Sequence, residues 1–247
     1  MGQITSTTNW AGYMCGDIML GVPVEDGNGN YLWDDSSLPD GNVEADSINS
    51  ALLLPDAAAG SDAFDLTVKA ANEFGWYCRN TGYNPFTLEG KKTAAFEIWE
   101  WWQRGPGAHV TRPLNIFVSV GDGNIISGIH KGFKDLLALG WIQHMPRLIG
   151  VQAEGSAAIA NAFHANTETI TPVAAQTLAD SISVDLPRDG IRAVRAAKET
   201  GGTYVTVSDD EILKAIATLG RAGIFAEPAG ATAYAGLTAM HAHGQLE

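Results

Sequence analysis

Three short runs, "NIFVSV" (115–120), "RLIGVQAEG" (147–155) and "TYVTVS" (203–208), are rich in β-branched and aromatic residues, and each leads into a stretch with apolar residues at helical spacing. Strands that alternate with helix-length connections pair parallel, because a parallel neighbour is reached only through a crossover. From residue 61 onward the chain therefore reads as an α/β fold: a largely parallel sheet with flanking helices, its ligands expected at the carboxyl ends of the strands. The helices read as "SDAFDLTVKAANEFG", capped by Ser61 and ended by Gly75, then "LEGKKTAAFEIWEWWQ", "SAAIANAFHAN", "DGIRAVRAAKETGG" and "SDDEILKAIATLG". Ser208 and Glu211 have the spacing of a capping box. A short strand, "IFAE", precedes the last helix, "PAGATAYAGLTAMHAHG". Trp99, Trp101 and Trp102 at the end of the second helix read as packing residues, since aromatic side chains contribute mainly through buried area.

The first strand runs into "VGDGN". From Asn124 the sequence places Ile125, Ile126, Ile129, Phe133, Leu136 and Leu137 on one helical face, and Gly140 ends it. A helix beginning after a glycine loop offers unpaired N–H groups and a positive dipole end, so Gly121 and Gly123 would let a backbone approach a phosphate. The spacing fits neither G-x-G-x-x-G nor a P-loop. A tight turn whose glycines serve geometry alone remains the other reading.

Charge divides the chain. Residues 1–68 hold eleven carboxylates and no Lys or Arg, which is −11 of the total −13; the remainder carries 15 basic and 17 acidic groups, a net of −2. The expected organisation is an acidic segment over 1–60 and an α/β domain over 61–247. Within the acidic segment, "VPVEDGNGNYLW" reads as two short strands about a turn. Asp26, Asn28 and Asn30 have calcium-loop spacing, but Tyr31 stands where Gly is needed and Ser37 where Glu is needed, so no metal site is expected. The acidic balance argues against nucleic acid. No apolar run reaches the roughly 20 residues of a membrane span, and the start lacks a signal-peptide pattern. Cys15 and Cys78 form no C-x-x-C pair, which with the previous point leads to a cytoplasmic expectation.

Four stretches, "RNTGYNPFTLEGKKT" (79–93), "SVGDGNIISGIHKGF" (119–133), "LADSISVDLPRDGIRAV" (178–194) and "GIFAEPAGATAYAGL" (223–237), occur in an order that resembles the threonine synthases. These are fold-type II pyridoxal-phosphate enzymes, carbon-oxygen lyases whose large domain is tryptophan synthase β-like. The resemblance covers approximately residues 61–245. It implies pyridoxal 5′-phosphate as cofactor, with Gly121, Asp122, Gly123 and Asn124 cradling its phosphate. It also implies Glu227 near the cofactor ring, and Asn84 in a loop facing substrate. For Glu227 a carboxylate capping the last helix is the alternative, and for Asn84 a turn residue before Pro85. The reaction implied is O-phosphohomoserine to threonine plus phosphate, with a small phosphorylated amino acid as substrate. A protein of this chemistry must hold and orient the cofactor and supply one lysine to it.

That lysine is the missing part. In the family it lies upstream of "YNPFT" in a "GSFKDRG"-like context, yet the first lysine here is Lys69. The "GSTGNT"-like substrate-carboxylate loop has no counterpart either, and Thr87 stands where some relatives carry arginine. Lys91, Lys92, Lys131, Lys134, Lys198 and Lys214 read as solvated or capping side chains, whereas a catalytic lysine needs burial. His109, His130, His144, His164, His241 and His243 form no metal-binding pair. No catalytic residue is therefore assigned, and covalent attachment of the cofactor has no evident lysine. Three functions follow from this: an incomplete or rearranged threonine synthase-like enzyme, an inactive domain that binds the cofactor or phosphate, or one half of a split enzyme. The partners expected are a second copy, in a homodimer, or a complementing chain that carries the lysine.

Overall fold

The computed structural model describes residues 22–25, 31–34, 59–105 and 114–246. The chain divides into two units, Met1–Asn84 and Pro85–Glu247. In the first, β1 (Val22–Glu25) and β2 (Tyr31–Asp34) pair antiparallel with Val22 opposite Asp34, as the sequence around the asparagine and glycine run predicts. Helix α1 (Ala59–Phe74) starts ahead of Ser61 and buries Thr67 and Ala71, four residues apart on one face. The packing of the acidic residues 1–60, apart from the hairpin strands and the start of α1, lies outside the described residues, as do the calcium-like turn and Cys15.

The second unit contains α2 (Pro85–Lys91), α3 (Thr93–Arg104), β3 (Asn115–Ser119), α4 (Asn124–Ala138), β4 (Arg147–Ala153), α5 (Ala158–His164), α6 (Gly190–Glu199), β5 (Thr203–Val207), α7 (Asp209–Arg221) and α8 (Pro228–Ala242). The strands form a parallel sheet in the order β3-β4-β5, with Ser119 opposite Val151 and Ala153 opposite Val207. Side chains alternate across it. Ile116, Val118 and Leu148 join a core with Ile126, Phe133, Leu136, Ile159 and Val194, from α4, α5 and α6. Ile149, Val151, Ala153 and Val207 join a second core with Ile212, Ala215, Ala231 and Ala235, from α7 and α8. Helices thus cover both faces, which is why the strands read as nearly continuous apolar runs. This three-layer parallel arrangement is the fold class the sequence predicts.

Three local differences have physical causes. The stretch read as one helix from Leu88 is two, meeting at Lys92, where the backbone lies directly on α4: a Cβ added to Gly132 would stand 2.5 Å from Lys92 O. Of the predicted α4 face, Ile126, Ile129, Phe133 and Leu136 are buried, but Ile125 and Leu137 are 51% and 39% exposed, because the buried stripe is narrower than the apolar one. "IFAE" is not a strand. Ile224 N–H donates to Leu219 O at the end of α7, and Glu227 already begins α8, so too few residues remain for a ladder; Phe225 is 99% exposed. The other ends behave as the sequence predicts. Gly140 (φ 73°) lets Trp141 N–H reach Leu136 O at 3.0 Å, and the Ser208–Glu211 capping box is present in both directions. Trp99 packs on the first core and stacks on Trp141, ring centroids 5.1 Å apart.

Candidate functional site

The carboxyl end of β3 carries the loop 120–123, and two bonds fix the chain just ahead of the glycines. Val120 N–H donates to Val151 O at 2.9 Å, and the buried amide of Gln152 donates from Nε2 to Val120 O at 3.2 Å. Gln152 Oε1 in turn accepts Ala160 N–H at 2.8 Å, which caps the start of α5. Gly123 occupies the N-cap of α4 with φ 91° and ψ 0°, a left-handed conformation, and no side chain caps the helix. Among the described residues, no oxygen accepts from the N–H groups of Gly121, Asp122, Gly123, Asn124, Ile125 or Ile126. Gly121, Gly123 and Asn124 are buried. A run of N–H groups without acceptors at a helix N-terminus, on residues most of which are buried, offers a site for an anion.

The back of the loop is held by the connection before α6. Asp122 O accepts Asp189 N–H at 3.0 Å, Asp122 Oδ1 accepts Arg188 N–H at 3.0 Å, and Asn124 Nδ2 donates to Asp189 Oδ2. Both glycines face this connection: an added Cβ would stand 2.9 Å from Ile182 Cα at Gly121 and 2.7 Å from Ala193 Cβ at Gly123. The connection itself has little regular structure and is anchored by side chains. Ser156 Oγ donates to Ile182 O and accepts Val184 N–H; Asp185 Oδ1 accepts Ala175 N–H; Asp209 accepts from Thr177 Oγ1 and Leu178 N–H. Gln176 N–H donates to Gly155 O at 2.9 Å.

Burial pushes the Asp122 carboxyl above the usual carboxylate range, against the Arg188 N–H and the charges of Arg188 and Lys91, which favour ionisation; Asp189 adds to the upward shift. A carboxyl raised in the folded state binds its proton more tightly there than in the unfolded chain. Stability therefore falls as pH rises from its ordinary value through the raised one. Asp122→Asn keeps an acceptor for Arg188 and is expected to abolish this slope. Denaturant midpoints across pH 4–8, equal in slope for variant and parent, would refute it.

The predicted residues fall in both units. Gly121, Asp122, Gly123 and Asn124 form the continuous loop just described. Glu227 is the N-cap of α8, whose Ala233 N–H reaches Ser119 Oγ on β3 at 2.9 Å. Its side chain is exposed and makes no cap hydrogen bond, while its place at the helix N-terminus still puts a carboxylate at the positive end of the dipole. Asn84 closes the other unit, where it is buried and donates from Nδ2 to Cys78 O at 2.8 Å. Thr87 lies in α2. Sequence reading assigned no role to Gln152, Arg188 or Asp189. Asp189 was legible only as the residue before a helix, and its partner lies 65 positions away.

The lysines are engaged at the surface. Lys92 lies 2.5 Å from Glu89 and 3.1 Å from Asp135, and its pKa is raised by the Glu89 hydrogen bond and then by Asp135. Lys131 pairs with Asp135 at 2.6 Å, Lys134 with Glu199 at 3.4 Å, and Lys198 donates to Asn166 Oδ1 at 2.9 Å. Lys69 and Lys214 are exposed. Buried His130 lies 3.3 Å from Glu199, and burial lowers its pKa in spite of that carboxylate.

A family model described as "Pyridoxal-phosphate dependent enzyme" matches residues 54–247. Among curated relatives, the threonine synthase of Methanocaldococcus jannaschii is 34% identical over 219 residues, 85% of this chain and 52% of that protein. The threonine synthase of Methanosarcina acetivorans is 35% identical over 207 residues, 81% of this chain and 49% of the relative. The chain thus spans about half the length of the curated relatives it matches. Of solved structures, a threonine deaminase from T.th. aligns with a TM-score of 0.60 at 22% identity, over 77% of this chain and 57% of that one. A processed threonine deaminase isoform from Solanum lycopersicum gives 0.59 at 22%, over 76% and 50%. These two likenesses concern the fold.

Proposed function

Because this chain belongs to the family of pyridoxal-phosphate dependent enzymes, we propose that it holds the phosphate of pyridoxal 5′-phosphate on the loop 121–124, as part of a threonine synthase-like protein. The run of N–H groups without acceptors from Gly121 to Ile126, with Gly121, Gly123, Asn124 and Ile126 buried, carries this reading, since a phosphate supplies several acceptors at a helix N-terminus. In this reading Gly121, Asp122, Gly123 and Asn124 bind through their backbone, Glu227 faces the cofactor ring, and Asn84 faces substrate. When bound, the cofactor supplies an electron sink for charge developing on an amino acid. The reaction served is O-phosphohomoserine plus water to threonine plus phosphate, in the cytoplasm.

The lysine that bonds the cofactor comes, in this proposal, from a complementing chain. Residues 1–68 contain none, and Lys92, Lys131, Lys134 and Lys198 are tied to polar surface partners rather than buried. A chain that binds the cofactor without acting on it is the second reading favoured by the same lysines. The acidic residues 1–60 then form a segment distinct from the α/β domain of 61–247.

Titration of the purified chain with pyridoxal phosphate, followed by borohydride and mass analysis, tests the proposal. Saturable binding that inorganic phosphate displaces is expected, with no pyridoxyl group fixed to any lysine and no threonine formed by the chain alone. A pyridoxyl group on Lys91 or Lys92, together with threonine formation, would overturn the assignment of the lysine to another chain. Absence of any saturable binding would overturn the cradle itself.

A further inference from the structure

We propose that Asp189 is a positioning residue for the anion cradle, which it sets by joining the N-termini of α4 and α6. The proposal rests on the phosphate reading of the loop 121–124. Asp189 stands at the N-cap of α6, where an aspartate ordinarily turns its carboxylate back onto its own helix. Here it makes no such bond. Its carboxylate instead accepts from Asn124 Nδ2, on the first residue of α4, and its backbone N–H is given to Asp122 O at 3.0 Å. One residue therefore holds the loop at two points, on either side of Gly123, while an added Cβ on Gly123 would stand 3.1 Å from Asp189 O.

The side chain is 1% exposed, and its second oxygen lies 3.0 Å from Arg192 Nε. That contact is an ion pair by distance, without hydrogen-bond alignment, and it offsets negative charge beside a site for an anion. α6 forgoes its own side-chain cap in this arrangement. At ψ 18° the Asp189 backbone is not in the extended conformation of a capping residue, and its carboxylate goes to α4.

Two substitutions separate the roles. Asp189→Ser keeps the backbone N–H given to Asp122 but is too short to reach Asn124, whereas Asp189→Asn keeps an acceptor at the same reach. The measurements are amide resonances of Gly121–Asn124 in the anion-free protein, inorganic phosphate affinity, and thermal midpoint. The serine variant is expected to melt lower than the parent, because the buried Asn124 amide loses its acceptor, and, where still folded, to shift those four amides and to bind phosphate about tenfold more weakly, a change of about 1.4 kcal/mol. The asparagine variant is expected to bind within about threefold of the parent, since it retains the bond that sets the loop. Unshifted amides in the serine variant overturn the proposal whether or not phosphate binds. A parent chain that fails to bind phosphate, with shifted amides in the variant, overturns the phosphate reading and leaves the positioning role standing.

Discussion

Gly123→Ala is expected to lose about a hundredfold or more in affinity for both pyridoxal phosphate and inorganic phosphate. Gly123 sits at φ 91°, where a residue with a Cβ pays roughly 1–2 kcal/mol. The new methyl would also stand 2.7 Å from Ala193 Cβ and 3.1 Å from Asp189 O, both on elements packed behind the loop. Overpacking of this kind costs about 1–3 kcal/mol, so the loop relaxes by moving off the connection that shapes it. Together the two effects amount to about 3 kcal/mol, against about 1.4 kcal/mol for each factor of ten. Titration by cofactor absorbance, at a temperature where the variant is folded by circular dichroism, reads the result. Affinity within about threefold of the parent would show that the left-handed glycine does not shape the site.

Gly202→Ala is expected to destabilise the fold by roughly 3 kcal/mol or more, without touching the cradle. Its Cβ would stand 1.8 Å from Leu148 O and 2.7 Å from the carbonyl carbon. That backbone has little freedom to retreat: Leu148 is fully buried on the central strand, and its N–H donates to Thr200 Oγ1 at 3.2 Å. Gly202 is itself tied to Ala197 O at 2.8 Å. Against a total stability of about 5–15 kcal/mol, such a loss should be evident as a much lower urea midpoint. An unchanged midpoint would refute the close approach of the two segments.

The sequence was most informative where structure is dictated locally. β3, β4 and β5 carry short apolar runs with β-branched residues, α7 announces itself through Ser208 and Glu211, and α4 ends at Gly140, so each could be placed from its own residues. The loop 121–124 was legible for the same reason: a strand, two glycines and a helix are contiguous. What escaped depends on packing between distant residues. The break at Lys92 comes from contact with Gly132 on another helix. Asp189 and Gln152 act on the loop from 65 and 32 positions away from the atoms they bond, and nothing in their neighbours marks them. The failure at "IFAE" is of a different sort, because β propensity was present but two flanking helices had already claimed its ends.

The connection leading into α6, anchored by side chains rather than by a ladder, has a kinetic consequence. A helix or strand opens by breaking a cooperative array, so its amides exchange with solvent together and rarely. Between Val173 and Asp189 many of the holding acceptors are single oxygens of Ser156, Asp185, Asp209 and Asp122. Each can let go without the others. The wall behind the loop is therefore a sub-global unit of low cooperativity, whose amides exchange singly and ahead of those of the sheet.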